Sequence, residues 1–490
     1  FCSHGAGFTV KWHEVKDYMH VESGLKKSAE PSLITRNIRL DDKELEAIME
    51  REFGPVKRPM YRSPVNRPAT EEVTIKAPKR KAIIVDGETI EAIVPAKEIK
   101  KKNYKVVDLK GAYIMPGLIN LHAHLPTGGK APKNDKKTNY KALSPLVKMV
   151  DWNPVLRLVF FLIQKPHVKQ ELFSGVTTLR AVGGISDMDG VMKRKIDKGD
   201  IIGPRLLVAN TGVSVPDGHF AGVLATEAKT PEMAREHVRK ILKTKPDLIK
   251  LMITGGVMDA EVVGEPGILR MPPEIVAAAC DEAHKAGLMV AAHVESPEGV
   301  RVALENGVDS IEHGAEPDEE ILRLFKERGA VDICTISPAA PYCLFPEEIS
   351  HAGDDARING KVVMDGIIDC AKACLENDIP VGLGTDTGCP FINNYGMWRE
   401  LHYFTKYVGV SNQFALYTAT KRNAELVHID DITGTIEPGK SADMIVCKKN
   451  PLDDVRVLRD LEMVIFRGKC HTNLKFKKDT YVEDALDTLL

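Results

Sequence analysis

Apolar and polar positions change rhythm at Ile114. Beyond it, short apolar runs alternate with stretches whose apolar residues recur every third or fourth position. That is the pattern of strands followed by helices. Eight runs predict strands: Gly117–His122, Val176–Leu179, Arg205–Ala209, Leu248–Ile253, Leu288–Ala292, Ser310–His313, Val331–Ile336 and Val381–Leu383. The stretch before the fifth, Pro273 to Ala286, puts Ile275, Val276, Ala279 and Ala283 on one helical face. Repeated βα units make parallel strands with helical crossovers, and eight over roughly 300 residues predict an α/β fold closed as a (β/α)8 TIM barrel. The barrel is expected to span residues 114–429.

The flanks read differently. The runs 81–85 and 90–94 lie either side of Asp86-Gly87, which predicts a small antiparallel sheet within residues 73–113. After the eighth unit a helix is expected near Gln413 to Leu426, then turns over Gly434–Lys440. Strands follow at Asp443–Cys447 and Met463–Arg467, and they are expected to pair with the residue 73–108 sheet. Residues 430–475 therefore join residues 73–113, and residues 476–490 read as a C-terminal tail. In residues 1–72, Val10–Val15 fits a strand or a helix start. Asp41 to Glu52 fits a helix capped by Asp41 or Asp42, and the proline-rich Gly54–Pro68 fits a linker. This N-terminal extension has no assignable role.

Composition narrows the class without naming it. The chain has 490 residues, 43% hydrophobic and 28% charged, an ordinary globular balance. A net charge of −2 gives no reason to expect a nucleic-acid or membrane partner. No apolar run reaches the roughly 18 residues of a membrane-spanning helix. The start, Phe1-Cys2-Ser3-His4-Gly5, has neither an initiator Met nor the basic-then-apolar order of a signal peptide. The nine cysteines are scattered, with Cys370 and Cys374 the closest pair, on an expected helix. Reduced thiols in a cytoplasmic enzyme are the expectation.

Candidate chemistry sits where the apolar runs stop. Catalytic groups of such barrels lie at the C-terminal ends of strands. The first strand ends in His122-Ala123-His124, and residues two apart on a strand share a face, so both imidazoles can reach one metal. Alone, the pair could be a surface coincidence. The fifth and sixth strands each end in one histidine, His293 and His313, either of which could be structural. The eighth ends in Gly382-Leu383-Gly384-Thr385-Asp386. Asp386 is a carboxylate needing a counter-charge that a metal supplies, or else a helix N-cap. In the fourth strand Lys250 interrupts an apolar run. It snorkels to the surface, or burial keeps it neutral and able to add carbon dioxide as a carbamate that bridges two metals.

His122, His124, Lys250, His293, His313 and Asp386, in that order, resemble the amidohydrolase superfamily. The run Ile249–Val257, with Gly175–Arg180 and Gly434–Asp443, is similar to its imidazolonepropionase-like and prolidase-like branch, which includes Xaa-Arg/Lys dipeptidases and ochratoxinase-type enzymes. The resemblance spans about residues 80 to 470. It implies a barrel flanked by a small β-sandwich built from both chain ends. It also implies two divalent ions, with zinc expected: one on His122, His124 and Asp386, the other on His293 and His313, with carboxylated Lys250 between them. The family usually has Asp after Arg180, and Ala181 stands there instead, so a supporting contact is expected to be lost.

The resemblance further implies a metal-bridging hydroxide that attacks an amide carbonyl, with Asp386 carrying the proton to the leaving nitrogen. His219, in the loop Asp217–Phe220 after the third strand, matches a position that touches substrate or oxyanion, or is an exposed loop histidine. Tyr342, Asn393, Asn394 and Tyr395 are expected to shape the pocket. The expected reaction is hydrolysis of a peptide or N-acyl amino acid bond in a small-molecule or dipeptide substrate by a homo-oligomer. The alternatives are a cyclic-amide hydrolase or deaminase, and a non-catalytic binding protein.

Overall fold

The computed structural model describes residues 81–99, 104–132 and 140–490. The expected elements at Val10–Val15, Asp41–Glu52 and Gly54–Pro68 lie outside the described residues.

All eight expected parallel strands form. In chain order, with the flanking strands, the elements are β1 Lys81–Asp86, β2 Thr89–Pro95, β3 Tyr113–Pro116, β4 Leu118–Ala123, β5 Val176–Ala181, β6 Arg205–Val208, β7 Gly212–Ser214, β8 Ala225–Glu227, β9 Leu248–Met252, β10 Met289–Val294, β11 Ser310–His313, β12 Val331–Cys334, β13 Val381–Leu383, β14 Met444–Cys447, β15 Leu461–Phe466 and β16 Lys469–His471. The parallel strands form two sheets, β4-β5-β6 and β13-β12-β11-β10-β9-β7-β8. Backbone bonds link the sheets at both sides. Asp247 N–H donates to Val208 O at 2.8 Å beside β6 and β9. Thr385 and Asp386 N–H donate to His122 O at 3.1 and 2.8 Å, and His124 N–H to Thr387 O at 2.8 Å, beside β13 and β4.

β4, β5, β9 and β11 are buried along their whole length, as strands covered on both faces must be. The covering helices start on readable signals. Asn153, Thr230 and Ser296 each cap free N–H groups through the side chain, and each precedes a proline in the first turn. The helix Pro273–Lys285 buries Ile275, Val276, Ala279 and Ala283, as its periodicity predicts. β7 and β8 escape sequence reading because three residues carry too little pattern.

The hairpin β1–β2 turns at Asp86-Gly87 as expected. The C-terminal strands pair differently from expectation. β14 lies antiparallel between β15 and β3, so its N-terminal partner is Tyr113–Pro116 rather than the hairpin. The apolar run at Ile114 therefore belongs to this flanking sheet. The hairpin meets it through Ile90 N–H to Lys440 O and Gly439 N–H to Ile90 O, both 2.8 Å. Ile90, Ile114, Met444, Val446 and Ile465 share one small core. The expected tail carries a helix, Thr480–Asp487, held by Arg399 and Arg459 on Glu483 and Asp487.

Candidate metal centre

His122 and His124 leave β4 on the same face, and their Nε2 atoms lie 3.4 and 3.2 Å from Asp386 Oδ1. What fixes them is the other ring nitrogen. His122 Nδ1 meets Glu312 Oε2 at 2.7 Å, and His124 Nδ1 meets Gly183 O at 2.7 Å. Both partners only accept, so each Nδ1 carries the proton and each Nε2 turns a lone pair to the cavity. Asp386 comes close because residue 384 is glycine: a Cβ there would stand 2.4 Å from His122 Cβ. Asp386 and His313 both hold left-handed backbone, φ 53° and 74°, which side chains other than glycine rarely adopt. Asp386 caps no helix, since the next one starts at Met397.

β10 and β11 deliver the second pair. His313 Nδ1 bonds Thr335 Oγ1 at 2.7 Å, and His293 Nε2 donates to Gly255 O at 3.3 Å. Each ring keeps one nitrogen for the cavity. Burial, then the Lys250 charge, lowers His122 to about 4. Burial also drives His293 and His313 well below the ordinary histidine value, reinforced by His219 and His122 respectively. Neutral imidazole is the form that binds metal. Burial works against ionised Asp386, yet His122, His124 and His313 hold it well below the usual carboxylate range.

Lys250 is 1% exposed, and its Nζ has no hydrogen-bond partner among the described residues. Burial lowers it to about 8. Snorkelling is excluded, because the head group is inside. An orphaned buried amine beside four histidines and a carboxylate fits a centre in which that nitrogen is chemically modified or faces a bound group. The donor set of imidazoles and carboxylates suits divalent transition metals. The donor atoms of His122, His313 and Asp386 lie within 4.8 Å of one another, and so do those of His293, Glu295 and His313.

All six expected ligands and His219 line one cavity of ≈ 90 Å³. His219 stacks on His293 with centroids 4.1 Å apart, and its Nδ1 is engaged by Asp259. Tyr342 also lines the cavity, as expected. Asn393 and Tyr395 do not. They bond Glu483 and the backbone of Asp479, and so anchor the C-terminal segment. Asn394 turns to Thr127 O. A second cavity of ≈ 270 Å³ adjoins the first and shares His124, Phe220, Cys389 and Pro390 with it.

Sequence reading passes over two supporting groups and one lining group. Arg180 Nη2 lies 2.7 Å from Glu312 Oε1, and Arg180 Nε donates to Leu121 O at 2.6 Å. Burial opposes an ionised Glu312, but Arg180 and His122 pull it far below the carboxylate range. Arg180 is thus fully engaged although Ala181 follows it. Glu295 lines the cavity and was signalled by its place two residues after His293.

A parallel α/β sheet with a histidine-rich polar cavity at its strand ends defines a class of hydrolases, and the relatives agree. The sequence profile of the amidohydrolase family matches residues 113–470, and the chain belongs to that family. Ochratoxinase of Aspergillus niger is 25% identical over 454 residues, covering 84% of this chain and 89% of that protein. A Bifidobacterium longum protein provisionally described as a prolidase shares its fold with TM-score 0.73 at 34% identity, over 84% of this chain and 94% of that one. A Xaa-Pro dipeptidase with methionine bound in its active site follows at TM-score 0.70 and 26% identity, over 81% and 96%. The chain is a hydrolase acting on amide or peptide carbon–nitrogen bonds.

Proposed function

We propose that this chain is a binuclear metal-dependent amidohydrolase that cleaves a peptide or N-acyl amino acid bond. Its parallel strands close as a (β/α)8 barrel, and the sheets at 81–95, 113–116 and 444–471 form the flanking β-sandwich. One observation carries the reading: His122, His124, Lys250, His293, His313 and Asp386 come from five strands and line a single cavity. In the proposed assignment His122, His124 and Asp386 hold one ion, His293 and His313 the other, and carboxylated Lys250 spans the two. Zinc is the expected metal.

When bound, the ions supply Lewis acidity and lower the pKa of water. The rest falls to the chain. Asp386 sits against the Nε2 atoms of His122 and His124, where it can accept the proton of the attacking water and return it to the leaving nitrogen. Asp259 fixes the ring of His219 through Nδ1, and in its doubly protonated form the ring donates Nε2–H to the carbonyl oxygen as negative charge develops. Tyr342 and the adjoining cavity around Phe220, Leu224 and Pro390 give the substrate an apolar seat. Relatives named prolidase, Xaa-Pro dipeptidase and ochratoxinase support the reading that the substrate is a dipeptide or an N-acyl amino acid.

The test is turnover of a dipeptide and N-acyl amino acid panel by metal-stripped protein reloaded with zinc or manganese. Reloaded protein should turn over at least one member and hold close to two ions per chain. Full activity at one ion per chain would overturn the binuclear assignment, and no turnover across the panel would overturn the substrate class.

A further inference from the structure

We infer that Glu295 supplies a carboxylate oxygen to the divalent ion seated on His293 and His313. The inference rests on the metal centre proposed above but adds a ligand that the six-residue pattern does not contain.

The geometry comes from strand alternation. His293 points to the cavity from the end of β10, and the residue two further along an extended chain shares that face. Glu295 is that residue. Its backbone is pinned just past the strand, because Glu295 N–H donates to Thr254 Oγ1 at 3.0 Å. Gly256 opposes it, and a Cβ there would stand 3.4 Å from Glu295 Oε2 and 3.0 Å from His219 Cε1. The missing side chain at position 256 leaves the carboxylate its room.

Two further observations say what the carboxylate faces. Glu295 Oε2 is buried and has no hydrogen-bond partner among the described residues. Burial pushes the Glu295 carboxyl well above the usual carboxylate range, so its charge is costly there unless a cation compensates it and displaces the proton. The donor atoms of His293, Glu295 and His313 lie within 4.8 Å of one another. The nitrogens left over by Gly255 O and Thr335 Oγ1 are the ones that can join it. Two imidazoles and a carboxylate form a three-ligand set that keeps a position open for water or substrate, as in catalytic zinc sites.

The consequence is a division of labour. Each ion has three protein ligands of its own: His122, His124 and Asp386 for one, His293, His313 and Glu295 for the other. Lys250 then links two sites that can fill separately, and is not the sole anion on which the second depends.

The experiment is a zinc titration of metal-stripped full-length protein against a chromophoric chelator, for wild type and Glu295→Gln. The amide keeps the shape and removes the charge. Wild type should show two sites. E295Q should keep one affinity and lose at least tenfold at the other, and zinc should raise its melting temperature less than it raises that of wild type. Cobalt-loaded E295Q should also show an altered visible spectrum at the weakened site alone. Two unchanged affinities in E295Q would overturn the inference and leave the function intact. Equal weakening at both sites marks a general distortion and overturns it too. A wild-type chain that takes up no zinc would overturn the metal centre itself. Should E295Q fail to fold, Glu295→Ala is read by the same outcomes.

Discussion

His122 donates through Nδ1 to Glu312 Oε2 at 2.7 Å, and Glu312 in turn is held by Arg180 at 2.7 Å. The three side chains make a buried relay from β5 through β11 to β4. Arg180 keeps Glu312 ionised, and Glu312 keeps the His122 proton on the nitrogen that faces away from the cavity. A carboxylate behind a ligating histidine raises its basicity and fixes its tautomer.

Glu312→Gln is therefore expected to act twice. The amide oxygen can still accept from His122, but it leaves the Arg180 guanidinium buried without its counter-charge. That should cost about 3–5 kcal/mol of folding stability. Metal affinity should fall roughly 10- to 100-fold with the weaker support behind His122. Denaturant unfolding of the metal-free protein and chelator competition measure the two effects separately. Unchanged stability would show that Arg180 is satisfied by Leu121 O and Ser310 alone.

Gly384→Ala tests the close approach of β13 to β4. The new methyl would meet His122 Cβ at 2.4 Å and His122 N at 2.6 Å, and backbone cannot swing aside as a side-chain tip can. A loss of about 1–3 kcal/mol is expected. The displaced element carries Asp386, so occupancy of the ion on His122 and His124 should fall as well. Thermal melting and zinc content report both, and a variant with wild-type values would show that β13 can slide at no cost.

These relationships explain what could be read from the chain and what could not. His122, His124, His293, His313 and Asp386 are legible because each breaks or ends an apolar run where the architecture puts functional groups. Lys250 is legible because a cation inside such a run has few bland explanations. Glu312 is a charge within an apolar run too, but its meaning depends on Arg180, 132 residues away, and no local pattern carries that pairing. Glu295 was within reach. The apolar pattern ends the fifth strand at Ala292, while the structure carries it to Val294, and the same two-residue rule that pairs His122 with His124 pairs His293 with Glu295. The partner of β14 was not legible, because strand pairing between chain ends is chosen by tertiary packing.

His219 is expected to serve the reaction and not the metal. Its Nδ1 is taken by Asp259 and its ring lies flat on His293. His219→Ala should lower kcat about 100-fold, the usual cost of one oxyanion donor, and leave metal stoichiometry unchanged. A variant that loses an ion would move His219 into the ligand set, and one with full kcat would remove it from the mechanism.

Lys250 sets a pH dependence whose sign can be worked out. In the metal-free chain the unfolded lysine keeps its proton up to about 10.5, and the folded one releases it near 8. Between those values the unfolded state binds more protons, so stability rises with pH. This contribution is complete above 10.5 and is lost as pH falls through 8. Lys250→Met removes the titration and fills the same volume with an apolar chain. The metal-free variant should be more stable than wild type at pH 7 and should lose the rise between pH 8 and 10.5. With metal restored it should lose most amide hydrolysis, since the proposed assignment makes Lys250 the group that links the two ions. Denaturant midpoints across this pH range decide the matter: an equal rise in wild type and variant would mean that Lys250 does not titrate there, and that its nitrogen is not held neutral by burial.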